Sequence, residues 1–275
     1  MSGNSILYIS SELYPYFPET NLSKRALIGP KEMSKDGNDV RIFMPRFGFI
    51  NERRFQLHEV IRLSGMNLVI NDIDQPLIIK VASIPGERLQ TYFIDNDEYF
   101  KRKTVYADQN NKLHSDNDER AIFFARGVLE TVKKLNWKPD IIHVHGWMAS
   151  LIPLYLKKFY GFDSFFNDTS VVVSLFNDEF EGKLNENFIE KLKFDGFDLQ
   201  DVISLTNPTY ENLMRLAISY SDSVIKGEEQ IPDSINAILP SFENIDIHEY
   251  NEDPVTKTYN SAYQQVLSNT ILDKG

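Results

Sequence analysis

The chain has 275 residues, of which 42% are apolar and 12% aromatic, so it is long enough to bury the core of a large globular domain. Its net charge of −11 leaves no basic surplus for phosphates, so we expect neither nucleic acid nor an anionic membrane as a partner. It contains no cysteine, which excludes disulfides, thiolate metal ligands and a cysteine nucleophile. The sequence shows neither an apolar run of about 20 residues, as a membrane span needs, nor a signal peptide, and we expect a cytoplasmic protein.

The first 44 residues predict a β-loop-α-β unit. Residues 5–10 form an apolar run typical of a buried strand, and a loop with two prolines leads to a helical pattern over 23–35. Gly37 follows as a stop signal, and residues 40–44 predict the second strand. This order favours a doubly wound, mostly parallel α/β sheet.

The segment 57–94 has a different pattern. Short alternating runs over 77–82 and 89–94 are separated by turn signals near Asn71-Asp72 and Pro85-Gly86. We therefore predict an antiparallel excursion from the parallel sheet.

The remaining chain returns to alternating helices and strands. Ser115 is predicted to cap a long helix, and a strand over 140–145 precedes a helix that reaches about residue 160. A further strand, helix and short strand are predicted at 169–175, 211–220 and 223–225. We assign residues 1–226 to one Rossmann-like domain, and residues 227–275 to an acidic linker with a docking helix over 258–269. Within that linker, Glu228-Glu229 is predicted to be solvated.

The strand at 140–145 carries the most informative motif, His143-Val-His-Gly-Trp147. An apolar strand that ends in polar residues and opens into a helix is where open α/β sheets bind ligands. His143 is predicted to be a core histidine satisfied by backbone groups, and His145 either contacts a ligand or makes a structural hydrogen bond. Two histidines on one strand face would suit a metal, but no third ligand lies nearby, so we predict no metal site and no cofactor.

Several segments, in order, resemble the amino-terminal catalytic domain of the glycogen and starch synthases. The resemblance covers roughly residues 6–224 and rests on Glu12-Leu-Tyr-Pro-Tyr16, Gly37-Asn-Asp-Val-Arg41, Met44-Pro-Arg-Phe47, residues 93–100, Asp118-Glu-Arg120 with Phe123-Phe124, and residues 139–156. It implies one Rossmann-like half of a two-domain glycosyltransferase of the GT-B type. Such enzymes are retaining glucosyltransferases, which transfer glucose from a nucleotide-diphosphate glucose to an α-1,4-glucan.

Three positions depart from the motifs that this resemblance implies. The Lys-x-Gly-Gly-Leu loop, where a cation and flexible amides meet phosphate, is replaced by Pro18-Glu19-Thr20-Asn21-Leu22. Gly146 stands where His-x-His-Asp-Trp has its aspartate. Phe176 stands where Ile-His-Asn has a histidine expected to contact the transferred sugar.

The resemblance therefore implies catalytic positions that are substituted, at Gly146 and Phe176. It leaves six candidate ligand-binding residues, namely Glu19, Thr20, Asn21, His145, Trp147 and Asn177. Trp147 either stacks on a sugar or packs a helix against the sheet. Asn177 either contacts a ligand or caps a loop.

Two functions of different classes remain open. In the first, the chain is a synthase-like glucosyltransferase that is weak or inactive alone, because the second domain and key residues are missing; a protein partner supplies the nucleotide-sugar half. In the second, it is a non-catalytic module that keeps the fold and binds a glucan or a protein. The partners expected are thus an α-glucan, a nucleotide sugar or a protein, and a cleft rebuilt for another small ligand is a third alternative.

Overall fold

The computed structural model describes residues 3–252 and 255–272, without the side chains of residues 271 and 272. Residues 253, 254 and 273–275, which belong to the predicted linker and tail, lie outside the described residues. Ten strands form one mixed sheet in the part of the chain described. They are β1 (Ser5–Ser10), β2 (Asp39–Pro45), β3 (His58–Glu59), β4 (Met66–Ile70), β5 (Ile73–Ser83), β6 (Gln90–Asp95), β7 (Ile141–His145), β8 (Ser170–Leu175), β9 (Ser223–Lys226) and β10 (Asp246–His248).

Seven of these strands are parallel, in the order β10-β9-β8-β7-β1-β2-β6. β5 pairs antiparallel with β6, and both β3 and β4 pair antiparallel with β5. The predicted α/β class with an antiparallel excursion is confirmed. The excursion is shorter than predicted, because β6 at its end is already parallel to β2.

The helices lie in two layers. They are α1 (Asn21–Lys35), α2 (Glu52–Phe55), α3 (Asp97–Phe100), α4 (Asn117–Lys134), α5 (Ile152–Leu154), α6 (Phe188–Phe194), α7 (Tyr210–Ser219), α8 (Asp233–Ile238) and α9 (Val255–Leu272). In the sheet, β2 lies on one side of β1, whereas β7, β8 and β9 follow one another on the other side of β1. Right-handed crossovers therefore place α1 on one face and α5 and α7 on the other. α9 joins α1 on the first face, where it packs against α1, β8 and β9.

Two predicted helix boundaries were wrong. α4 begins at Asn117 after Asp116, and neither Ser115 nor the Asp116 side chain caps it. The single helix predicted after β7 is divided into a 3₁₀ turn at Trp147–Ala149, the short α5 and a π-helical turn at Tyr155–Phe159. Pro153 explains the break, since proline has no N–H to donate to the preceding turn.

The tail contributes more than a linker and a helix. β10 extends the sheet as a parallel neighbour of β9. α9 approaches α1 so closely that a Cβ atom on Gly29 would lie 2.4 Å from the ring of Tyr259. The division at residue 226 stays a prediction.

Among the described helices, none combines the length and apolar character needed to cross a membrane.

Candidate functional site

The candidate site lies at the carboxyl ends of β1 and β7. The sheet order reverses here, because β1 leads to β2 on one side and pairs with β7 on the other. Ser10 is the register partner of His145, and the amide of Ser11 donates to the His145 carbonyl at 2.9 Å. Crevices at such switch points are the usual ligand sites of open α/β sheets.

His145 is fully buried at this point. Neither ring nitrogen has a hydrogen-bond partner among the described residues, and the ring is surrounded by those of Tyr8, His143, Phe176 and Tyr259. Burial lowers the pKa of His145 to about 3. The structural hydrogen bond considered for its ring is therefore not formed, and the ring has no open path to a ligand.

His143 is also buried, and its partners are side chains rather than the backbone groups predicted. Its Nδ1 lies 2.6 Å from the hydroxyl of Tyr263, and its Nε2 lies 2.7 Å from that of Ser174. Burial, followed by the proximity of His145, holds its pKa well below the usual value. A neutral imidazole satisfies both contacts by donating one hydrogen bond and accepting the other.

Gly146 has a left-handed backbone, with φ of 82°. A Cβ at this position would lie 2.5 Å from Ser11 Oγ and 3.0 Å from a methyl group of Leu22. An aspartate would therefore be both strained and crowded here. The loop after β1 has closed over the space that an acidic side chain would need.

Trp147 packs rather than facing a cleft. It is 1% exposed, and its ring lies 4.9 Å from that of Tyr106 and 5.0 Å from that of Phe180. Its amide donates to Asp178 at 2.8 Å, and the Tyr210 hydroxyl donates to the same carboxylate at 2.6 Å. The geometry supports the packing role that was one of its two interpretations.

Glu12 lies at the start of the loop between β1 and α1, and sequence reasoning missed it. Thr20 donates to its carboxylate at 2.8 Å and also caps α1 by accepting from the Ser23 amide at 2.9 Å. Burial, with a smaller contribution from the Asp178 charge and against the hydrogen bond from Thr20, raises the pKa of Glu12 to about 7. Burial likewise raises the pKa of Asp178 to about 6. Glu12 and Asp178, whose pKa values are both raised towards neutral pH, thus lie beside the switch point.

A third carboxylate, that of Glu228, links the start of α1 to the segment after β8. Asn21 donates to it at 2.6 Å, and the backbone amide of Asn177 donates to its other oxygen. Of the pair predicted to be solvated, Glu229 is exposed, whereas Glu228 is half-buried and accepts these two hydrogen bonds. Glu19 lies apart from this cluster, in an exposed ion pair with Lys24 at 3.0 Å.

Phe176 fills the end of β8. It is 1% exposed, and a Cβ on Gly227 would lie 2.5 Å from its ring. The chain after β9 therefore passes directly over this aromatic side chain.

The sequence contains weak signals for Glu12 and Asp178. Glu12 begins one of the motifs that carry the family resemblance, and Asp178 directly follows Asn177, but neither pattern indicates that the side chain is buried.

Outside the closed crevice lies an open groove of about 1120 Å³, between α1, the loop 227–230 and the start of α9. Asn21 and Asn177 line it, together with Arg25 and Tyr250, whose guanidinium and ring lie 4.8 Å apart. Of the six candidate residues, these two asparagines face the groove. No group of three or more potential metal ligands occurs in the described chain.

Comparison with known proteins decides the family. Residues 5–237 match the starch synthase catalytic domain. The chain belongs to this family. The resemblance predicted from the motifs is thereby confirmed.

Two curated relatives of this chain are both named glycogen synthase. The glycogen synthase of Chlorobium limicola is 40% identical over 188 residues, which cover 68% of this chain and 38% of that protein. The glycogen synthase of Chlorobium phaeobacteroides is 33% identical over 269 residues, which cover 90% of this chain and 54% of that protein. The chain thus spans about half the length of the curated relatives it matches.

A solved member of the family has the same fold. The catalytic domain of starch synthase IV from Arabidopsis thaliana, bound to ADP and acarbose, superposes with a TM-score of 0.71 at 18% sequence identity. The match covers 93% of this chain and 53% of that one. The α/β fold of one GT-B lobe is therefore shown for this chain.

Proposed function

We propose that the chain is a glycogen/starch synthase-like domain that is weak or inactive as a glucosyltransferase by itself. The observation that carries this proposal is the closed switch point. His145 is fully buried beneath Phe176 and Tyr259, so a sugar cannot reach its ring.

The charges at the start of α1 support the same conclusion. Transfer of glucose from a nucleotide-diphosphate sugar leaves negative charge on the departing phosphate, which cations or free backbone amides must stabilise. Here the Ser23 amide is bonded to Thr20, and Glu12 and Glu228 flank the helix start. Any negative charge on these carboxylates repels a diphosphate.

The groove favours a second candidate, a module that binds a glucan without turnover. Amide side chains at Asn21 and Asn177 suit the hydroxyl groups of a sugar, and Tyr250 offers an aromatic ring at the same wall. A protein partner that brings a nucleotide-sugar site to this groove remains part of the first proposal. The cytoplasmic location expected from the sequence stays a prediction.

Glucose incorporation into maltoheptaose from ADP-glucose and from UDP-glucose tests the proposal. The glycogen synthase of Chlorobium phaeobacteroides serves as the active control. We expect no incorporation above background from the unmodified chain or from Phe176→His, since one histidine does not reopen the crevice. Transfer by the unmodified chain at a rate near that of the control would refute the proposed inactivity.

Calorimetric titration with maltoheptaose tests the second candidate separately. Binding that Tyr250→Ala weakens about tenfold, while Glu190→Gln on the exposed side of α6 leaves it unchanged, would place the glucan in the groove. No detectable binding would remove the glucan-binding function and leave a protein partner.

A further inference from the structure

α9 covers a polar strip of the sheet rather than an apolar one. The strip is formed by Tyr8 of β1, His143 and His145 of β7, and Ser174 of β8, all of which are buried. Tyr259 and Tyr263 of α9 lie directly above it, with ring centroids 4.8 and 5.7 Å from that of His143. Docking of α9 therefore depends on buried hydrogen bonds as well as on apolar contact.

These hydrogen bonds form a chain with one direction. Tyr8 and Tyr263 hydroxyls are 2.7 Å apart, Tyr263 reaches Nδ1 of His143, and Nε2 reaches Ser174. Every contact is satisfied when Tyr8 donates to Tyr263, Tyr263 donates to Nδ1, and the Nε2 hydrogen goes to Ser174. A proton on Nδ1 would reverse this order and leave the buried Tyr8 hydroxyl donor without an acceptor.

His145 adds a stronger penalty on protonation. Its two nitrogens have no partner in the described residues even when the ring is neutral. A second proton would add a charge and another unpaired N–H in a site enclosed by aromatic rings.

The surroundings contain nothing that would stabilise an imidazolium. β1 contributes Tyr8, β8 contributes Ser174, the segment after β8 contributes Phe176, and α9 contributes its two tyrosines. α1 and β9 contribute Arg25 and Lys226, which line a small cavity together with Tyr259 and are both positive. Among the described residues, no carboxylate bonds to either histidine ring.

We propose that α9 is a proton-sensitive latch, which holds the sheet most firmly while His143 and His145 are neutral and opens more often on mild acidification. Release removes Val255 and Thr256 from one wall of the groove and uncovers the polar strip beside the switch point. The latch thus controls access to both histidines, whatever ligand the groove takes.

The sign follows from proton linkage. Docking holds the pKa of both histidines far below the usual value of about 6.5, so the docked state excludes protons that the released state binds. Docking is therefore favoured above that pH and weakens as pH falls below it. Between pH 7.5 and 5.5 each histidine shifts the docking equilibrium about tenfold, and the two together about 100-fold.

Hydrogen exchange of the whole chain, read by mass spectrometry at pH 7.5 and 5.5, tests the latch. After correction for intrinsic exchange rates, the opening constant of α9 should exceed that of β7 at both pH values and rise about 100-fold on acidification. The proposal is overturned if α9 opening does not change, or if α9 and β7 always open together, since then no separate latch exists.

A matched pair of variants locates the titrating groups. His145→Leu should reduce the response of α9 from about 100-fold to about tenfold, whereas His58→Gln, at an exposed position on β3, should keep the full response. A full response in His145→Leu would contradict the role of His145. If that variant does not fold, the profile of the unmodified chain still decides between a latch and a static helix.

Discussion

At the scale of single residues, Glu12 shows how burial alters the protonation of a carboxyl group at the candidate site. A carboxyl group at this position is held by Thr20 and enclosed by the loop that leads to α1, so it is 8% exposed. Burial disfavours its charge, and the Asp178 charge adds to that effect. The folded protein therefore binds a proton at Glu12 that the unfolded chain releases well below neutral pH.

This residue gives a prediction for stability against pH. Because the pKa of Glu12 is raised to about 7, the contribution of this residue to stability should fall as pH rises from about 4.5 to 7, opposite in sign to that of the buried histidines. Glu12→Gln keeps an acceptor for Thr20 but cannot ionise. It should be more stable than the unmodified protein by up to about 3 kcal/mol at pH 8 and about equal to it at pH 4.5. Urea unfolding at the two pH values measures the difference.

The control is Glu190→Gln on α6, where the side chain is 68% exposed. Its unfolding free energy should differ from that of the unmodified protein by less than about 0.5 kcal/mol at either pH. If Glu12→Gln gave the same change at pH 4.5 and 8, the pKa of Glu12 would be the same in the folded and unfolded chain, contrary to the expected effect of its burial.

At the scale of elements, the pairing of α1 with α9 depends on one glycine. A Cβ on Gly29 would lie 2.4 Å from the ring of Tyr259, and that ring also contacts His143. Gly29 is otherwise unfavourable in a helix interior, where alanine is preferred by about 1 kcal/mol. Close helix packing is the physical reason for a glycine here.

A double-mutant cycle tests that reason. Gly29→Ala should destabilise the protein by about 1–3 kcal/mol, because the added methyl group forces the α9 ring away. In the background of Tyr259→Ala the same change should instead stabilise by up to about 1 kcal/mol, as helix propensity alone predicts. Urea unfolding of the four proteins gives the coupling energy. Equal effects in both backgrounds would show that the two residues do not interact.

The element scale also shows what the sequence could predict. β1, β7 and β8 were predicted to within one residue, since buried parallel strands are continuous apolar runs bounded by turns. β10 was missed because a three-residue strand between prolines has too short a pattern. The partners of His143 could not be predicted either, because Tyr263 lies 120 positions away and meets it through the docking of α9. Local patterns therefore indicated the candidate site, whereas the burial of His145 and Phe176 depends on long-range packing.

At the scale of the whole molecule, the tail completes the sheet and its covering layer. β10 pairs along β9, and α9 buries Tyr259, Ala262, Tyr263 and Val266 against the strands and α1. Burial of the three larger side chains corresponds to roughly 5–9 kcal/mol. The total stability of a domain is commonly about 5–15 kcal/mol, so this contribution is large.

Truncation tests whether residues 1–226 form a domain, as the sequence predicts. We expect a chain that ends at residue 226 to lose cooperative unfolding, because it exposes the β9 edge and the polar strip of β1 and β7 together. A chain that ends at 248 keeps β10 and isolates the contribution of α9, and one that ends at 272 is the control. Thermal unfolding followed by circular dichroism compares the three. If the shortest chain melted cooperatively within about 5 °C of the control, residues 1–226 would be an autonomous domain, and α9 would contribute to regulation without being needed for folding.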